Sequence, residues 1–284
     1  MTPAVVATAR GPVEVARAGA GPAVILLHGM PGDYRQAGAL ARDLAGRHEV
    51  LLPSRPGYGA TPLASGRGIA DQADLAVALL DALALPDAAV VGISGGGPAA
   101  YAFATRHPRR CRALVLCCAV APPVLTVPRA LRVLDVVPGL WELGARRAAR
   151  RLAAVHADPT RSHAASLAEL GPAERVAASD PQVRDDIRTF QRQRAEVLTS
   201  IAGLRNDYRQ LRAARAAGAT PWPAGVRVPA LVLHGADDTV VPVEHGAWYA
   251  AAIPGAAYDV VPDAGHAFVI TLRRTVSPRI EEFL

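Results

Sequence analysis

The chain has 284 residues, 51% of them hydrophobic and 20% charged, with a net charge of +6. That is enough apolar material for a sizeable core and too little charge for a disordered chain. All 31 basic residues are arginine, and the absence of lysine excludes a Walker-type phosphate loop and a pyridoxal Schiff base, each of which needs one.

Val5–Ala9 and Val13–Ala18 are short β-like runs separated by Gly11-Pro12, which predicts an antiparallel pair at a sheet edge. Ala23–Leu27 is continuously apolar, the pattern of a strand buried on both faces, and it runs into His28-Gly29-Met30-Pro31-Gly32. Helical periodicity follows over Asp33–Arg47 through Ala37, Leu40, Ala41 and Leu44. Glu49–Pro53 is a further strand, followed by Arg55-Pro56-Gly57-Tyr58-Gly59, and Ile69–Leu85 is an amphipathic helix. Ala89–Ile93 is the next strand, then a helix from about Gly96 to Arg106, then a buried strand over Cys111–Ala119. Strands alternating with helices predict a doubly wound, mostly parallel sheet, an α/β fold.

The rhythm stops at Pro122-Pro123 and resumes near residue 228. Helical patterns at 129–137, 139–157, 160–170 and 181–217 (the last broken near Gly203) fill the interval, and Ser179-Asp180-Pro181 is a helix start. The predicted division is a core of residues 1–121 and 228–284 with a helical insertion over 122–227. Val228–Leu233, a helix over Val243–Ile253, a strand over Ala257–Val261 and a terminal helix through Ile280 and Leu284 complete the chain. No apolar run is long enough to span a bilayer and the N-terminus has no signal-peptide pattern, so a cytoplasmic location is expected. Cys111, Cys117 and Cys118 are odd in number and strand-placed, which predicts buried thiols. Residues 129–227 carry 17 Arg against 10 acids, a net +7 that leaves −1 elsewhere. Arginines alternating with acids and alanines describe solvated helix faces. With no nucleic-acid motif and no aromatic interleaving, nucleic acid is not an expected partner.

One turn carries chemistry. Gly92-Ile93-Ser94-Gly95-Gly96 joins a strand to a helix with serine at the apex, the layout of a nucleophile elbow. A serine hydroxyl needs a base and a group to orient that base. His266, in Ala264-Gly265-His266, and Asp238 follow the last two strands, on the sheet edge where ligands of α/β proteins collect. Asp237 is the competing acid.

Taken together with His28-Gly29-Met30-Pro31-Gly32, Arg55-Pro56-Gly57-Tyr58-Gly59 and His234-Gly235-x-x-Asp238-x-x-x-Pro242, the chain resembles an α/β-hydrolase with a helical cap over nearly its full length. Ser54 departs from the pattern, since many members carry aspartate there. The resemblance implies a serine esterase-like hydrolase acting on a small acyl substrate without metal or other cofactor. Ser94 would be its nucleophile, His266 its base and Asp238 the orienting acid, and the N–H groups of Met30 and Gly95 would form the oxyanion hole. Asp33, Tyr34 and Trp222 are candidates to line the pocket, whereas His28 would serve its own loop. Aminopeptidases, carbon–carbon hydrolases, thioesterases and cofactor-free haloperoxidases share this triad, and Glu142, Glu169 and Glu196 are candidates to hold a substrate amine. A hydrolase-fold binding protein with an idle triad is the reading from another class. His156 and His163 have no matching metal ligands, and Trp141, Leu143 and Leu152 form an apolar stripe suited to packing.

Overall fold

The computed structural model describes residues 1–126, 139–157, 170–198, 201–216 and 225–284. β1 (Ala4–Thr8) and β2 (Gly11–Ala18) pair antiparallel, as the Gly11-Pro12 break implied. β3 (Ala23–Leu27), β4 (Glu49–Pro53), β5 (Ala88–Ile93), β6 (Cys111–Cys117), β7 (Ala230–Gly235) and β8 (Ala257–Val261) follow. Together they form one sheet in the order β1-β2-β4-β3-β5-β6-β7-β8, parallel from β4 to β8.

Successive residues of the inner strands point to opposite faces, and both faces are apolar. Val24 and Leu26 join Val50, Leu52, Val91 and Val115 on one side, packed under α1 (Gly38–Leu44) and the C-terminal helices. Ile25 and Leu27 join Leu51, Val90, Leu114 and Val232 on the other, under α2 (Ile69–Ala82) and α3 (Gly97–Arg106). Between β6 and β7 the described residues are helical: α4 (Leu140–Ala157), α5 (Pro172–Ala177), α6 (Pro181–Val197) and α7 (Ala202–Ala216). The chain closes with α8 (Glu244–Ala252), α9 (Phe268–Thr271) and α10 (Arg273–Phe283). No helix among the described residues is long and apolar enough to cross a membrane.

Several expected boundaries move. The helix expected over Asp33–Arg47 is only Gly38–Leu44. Asp33 Oδ1 accepts from the Arg35 N–H at 2.9 Å, a local turn that competes with helix, and the Gln36 side chain is taken by the loop before it. α2 stops at Ala82 because Ala84 turns into the left-handed region ahead of Pro86. β6 ends at Cys117, where Cys118 (φ 41°) turns the chain out of the sheet. The break expected near Gly203 lies earlier, between α6 and α7. Gly203 sits in the first turn of α7, whose N–H groups lack intrahelical partners, and it donates to Gly57 O at 3.0 Å. The terminal helix divides at Leu272. α5 was not anticipated, and the patterns at 129–137 and 160–169 lie outside the described residues. All three cysteines are buried free thiols, and burial pushes Cys117 up to about 12.

Candidate active site

Ser94 stands at the carboxyl end of β5, where a single 3-10 turn (Ser94–Gly96) leads into α3. Its φ of 50° is left-handed, which costs a non-glycine residue about 1–2 kcal/mol. The strain is held from outside: the Val120 N–H donates to Ser94 O at 2.9 Å. It also requires close passage, since a Cβ on Gly96 would lie 2.3 Å from Leu27 O. The glycine lets the start of α3 pass against β3 and turns the serine hydroxyl out of the sheet edge.

His266 and Asp238 come from the loops after β8 and β7, three and two strands away in the sheet. His266 Nε2 lies 3.1 Å from Ser94 Oγ and His266 Nδ1 lies 2.7 Å from Asp238 Oδ2. An ionised carboxylate only accepts, so Nδ1 carries the proton and the Nε2 lone pair faces the serine hydroxyl. Asp238 Oδ1 accepts from the N–H groups of Val240 (2.9 Å) and Val241 (2.8 Å). Burial disfavours its charge. The His234 and His266 rings and the backbone donor Val241 outweigh that and hold the carboxyl far below the ordinary carboxylate range. Asp237 is exposed and bonds Ala264 O through its main chain, so the acid that meets His266 is Asp238.

The other side of Ser94 is the loop after β3. A Cβ on Gly95 would lie 2.7 Å from Met30 Cγ and 3.2 Å from Met30 N, so the two main-chain segments run side by side next to the serine. Gln36 fixes this loop, its Oε1 accepting from the Gly29 N–H at 2.5 Å and its Nε2 donating to Pro31 O at 3.1 Å. His28 is buried beneath it. Nδ1 lies 2.7 Å from Gly29 O and Nε2 accepts from the Arg55 N–H at 2.9 Å, which needs a neutral ring. Burial and the neighbouring Arg55 charge lower its pKa well below 6.5 accordingly.

Asp33 and Tyr34, expected near the pocket, make other contacts. Asp33 is buried with both carboxylate oxygens bonded to Arg35, which also reaches Glu196 at 2.6 Å. Tyr34 packs on the apolar cluster between the sheet and α1, with its N–H bonded to Ser54 Oγ at 3.1 Å. Ser54 in turn donates to Glu14 at 2.6 Å, so a hydroxyl does the linking where an aspartate was expected. Trp222, Glu169 and His163 lie outside the described residues. Glu142 lies 3.7 Å from Arg205 and Glu196 is held by Arg35. Cys118, Asp238 and His266 offer donor atoms within 4.8 Å of one another and are the one such group among the described residues. Two of the three are already bonded to each other, and burial pushes the Cys118 thiol well above its ordinary value, away from the thiolate a metal prefers.

Two residues escaped the sequence reading, both acids on buried helix faces. Asp207 of α7 receives Arg55 (2.5 and 3.0 Å) and the Tyr58 hydroxyl (2.8 Å), and Arg55 also donates to His28 O and Gly29 O. Burial disfavours the Arg55 charge; Asp207 and Tyr58 outweigh this and raise its pKa. The available signal was Asp207 standing four residues from Gly203 and from Leu211, on one helix face. Glu174 of α5 is fully buried, and its signal was the capping spacing Gly171-Pro172-Ala173-Glu174.

Comparison with known proteins agrees with this fold. The family model described as alpha/beta hydrolase fold matches residues 22–271. An uncharacterized hydrolase of Bacillus subtilis is 35% identical over 117 residues, 41% of each chain. The pimeloyl-[acyl-carrier protein] methyl ester esterase of Chromobacterium violaceum is 31% identical over 259 residues, covering 88% of this chain and 89% of its own. Among solved structures, an alpha/beta hydrolase fold protein from Nakamurella multipartita is 31% identical with a TM-score of 0.76, covering 100% of this chain and 99% of its own.

Proposed function

The chain belongs to the α/β-hydrolase family, and from that premise we propose that it is a serine hydrolase cleaving a carboxylic ester or similar small acyl bond. The single observation that carries this reading is the hydrogen-bonded chain Asp238–His266–Ser94, with distances of 2.7 and 3.1 Å. A relative 31% identical over most of its length that is named a methyl ester esterase supports the choice of ester.

Ser94 Oγ attacks the acyl carbonyl as His266 Nε2 takes its proton, a general-base contribution of roughly 10²–10⁴-fold. Asp238 fixes the ring tautomer and stabilises the imidazolium. The N–H groups of Met30 and Gly95 receive the oxyanion, where one donor is worth about 10²–10³ in rate. His266 then protonates the leaving alcohol. Water, activated by the same ring, attacks the acyl-enzyme and releases the acid. Residues 122–227 act as a cap over this site, on a core of residues 1–121 and 228–284.

A panel of p-nitrophenyl esters of rising acyl length, one thioester and one aminoacyl anilide tests the reading. The expected result is ester turnover that depends on Ser94. No turnover of any ester together with strong anilide turnover overturns it.

A further inference from the structure

Glu174 is a fully buried carboxylate that accepts from two main-chain N–H groups and a threonine hydroxyl. Oε2 accepts from the N–H of Gly171 and from the N–H of Gly265, each at 2.6 Å, and Oε1 accepts from Thr271 Oγ1 at 2.9 Å. Gly265 immediately precedes His266, and Thr271 ends the short helix that follows it. The Glu174 carboxylate therefore bridges the two ends of the segment from which the His266 ring projects. The Ala173 N–H adds a second link from α5, donating to Asp263 O at 2.9 Å. Asp263 itself is in the left-handed region (φ 54°), a conformation that neighbours must hold in a non-glycine residue. From the opposite side Asp237 N donates to Ala264 O at 2.9 Å.

We propose that Glu174 is a positioning residue for His266, supplied to the base loop by the helical insertion. The proposal rests on the reading of His266 as the general base. Its action is geometric. An N–H caught at 2.6 Å fixes the peptide plane before His266, and so fixes where Nε2 meets Ser94 Oγ. A misplacement of about 1 Å at such a contact costs on the order of 10²-fold in rate.

Two substitutions separate position from charge. In Glu174→Gln the amide oxygen can accept from Gly171 and Gly265, and the amide N–H can donate to Thr271 Oγ1. The threonine proton then goes to Ala267 O, 3.1 Å away. The donors that Glu174 now serves stay satisfied; the charge is lost, and one amide N–H is added beyond the one given to Thr271. Glu174→Asp keeps the charge but falls one methylene short of the Gly265 N–H.

The experiment measures kcat and KM on the best p-nitrophenyl ester, the rate of fluorophosphonate labelling, and the His266 Nδ1 proton by NMR of ¹⁵N-histidine protein. Expected are kcat within about threefold of wild type for Glu174→Gln, and for Glu174→Asp a kcat loss of roughly 10–100-fold with KM within twofold and a shifted Nδ1 resonance. Overturning results are wild-type kcat in Glu174→Asp, an impaired Glu174→Gln beside an intact Glu174→Asp, or a loss confined to KM. The NMR arm reads ring position without turnover. A wild type that neither labels nor turns over esters would defeat the hydrolase reading, and an unshifted Nδ1 resonance in Glu174→Asp would separately defeat the positioning role.

Discussion

The sheet and the inserted helices are held by opposite physics. Inside the sheet, Val24, Ile25 and Leu26 are essentially fully buried among other aliphatic side chains, and cohesion comes from apolar area at about 25 cal/mol per Å². Where α5, α6 and α7 meet that core, each helix presents a buried carboxylate instead. Glu174 takes Gly265 and Thr271, Asp186 takes Arg42 and Arg273, and Asp207 takes Arg55 and Tyr58. The segment with the positive net charge thus docks through its acids, while the arginines Arg146, Arg147, Arg150 and Arg151 face outward on α4. Apolar packing is tolerant of small changes in shape. Buried charge is not, because an unpaired partner is costly in low dielectric. The tolerant region carries the strands. Two of the three intolerant contacts, those of Glu174 and Asp207, lie beside the loops that flank Ser94, and the third, that of Asp186, joins α6 to α1 and α10.

The largest effect that can break this picture lies in the core loops. Ser94→Ala is expected to lower kcat by about 10⁴-fold or more while leaving the thermal midpoint nearly unchanged, read by ester turnover and differential scanning calorimetry. Next is the docking face. Asp207→Ala strands the 3%-exposed Arg55 guanidinium and should cost about 3–5 kcal/mol in urea unfolding. A matched change in the sheet, Leu26→Ala, should cost about 2–5 kcal/mol, but Leu26→Met less than about 1.5 kcal/mol. If Asp207→Asn proves as mild as Leu26→Met, the contrast between the regions fails.

A pH titration sharpens the same comparison. His28 has a depressed pKa in the fold, so the unfolded chain binds its proton first as pH falls below about 6.5, and stability declines from there. His245 is depressed as well and acts with the same sign. Asp238 is also depressed, but an acid of that kind loses its contribution only below about pH 4, so it adds no slope between pH 7 and 5. The thermal midpoint should fall over that interval, and His28→Gln should flatten the fall; an unaltered slope in the variant counts against a neutral buried His28. The smallest effect belongs to the exposed face of α4, where Arg147→Ser should stay within about 0.5 kcal/mol of wild type by urea unfolding.

How much could be read from the sequence follows the same division. Ala23–Leu27 and Ala89–Ile93 declare themselves because a doubly buried strand must be apolar at every position. The turn around Ser94 does so because its backbone admits few residue types. Asp238 and His266 were legible from their places after strands. The role of Asp33 was not legible, because a buried acid in that loop looks the same in sequence whether it meets a ligand or Arg35. Glu174 and Asp207 were not legible, since their partners are a main-chain N–H and an arginine 152 positions away. Nothing in local periodicity encodes such pairings.

The central claim is that Ser94 is the nucleophile. Treating the folded protein with a fluorophosphonate and locating the adduct by peptide mass spectrometry tests it most directly. One adduct on the peptide carrying Ser94, absent from Ser94→Ala, is the result expected. Labelling that persists unchanged in Ser94→Ala, or no labelling of folded wild type, would contradict it.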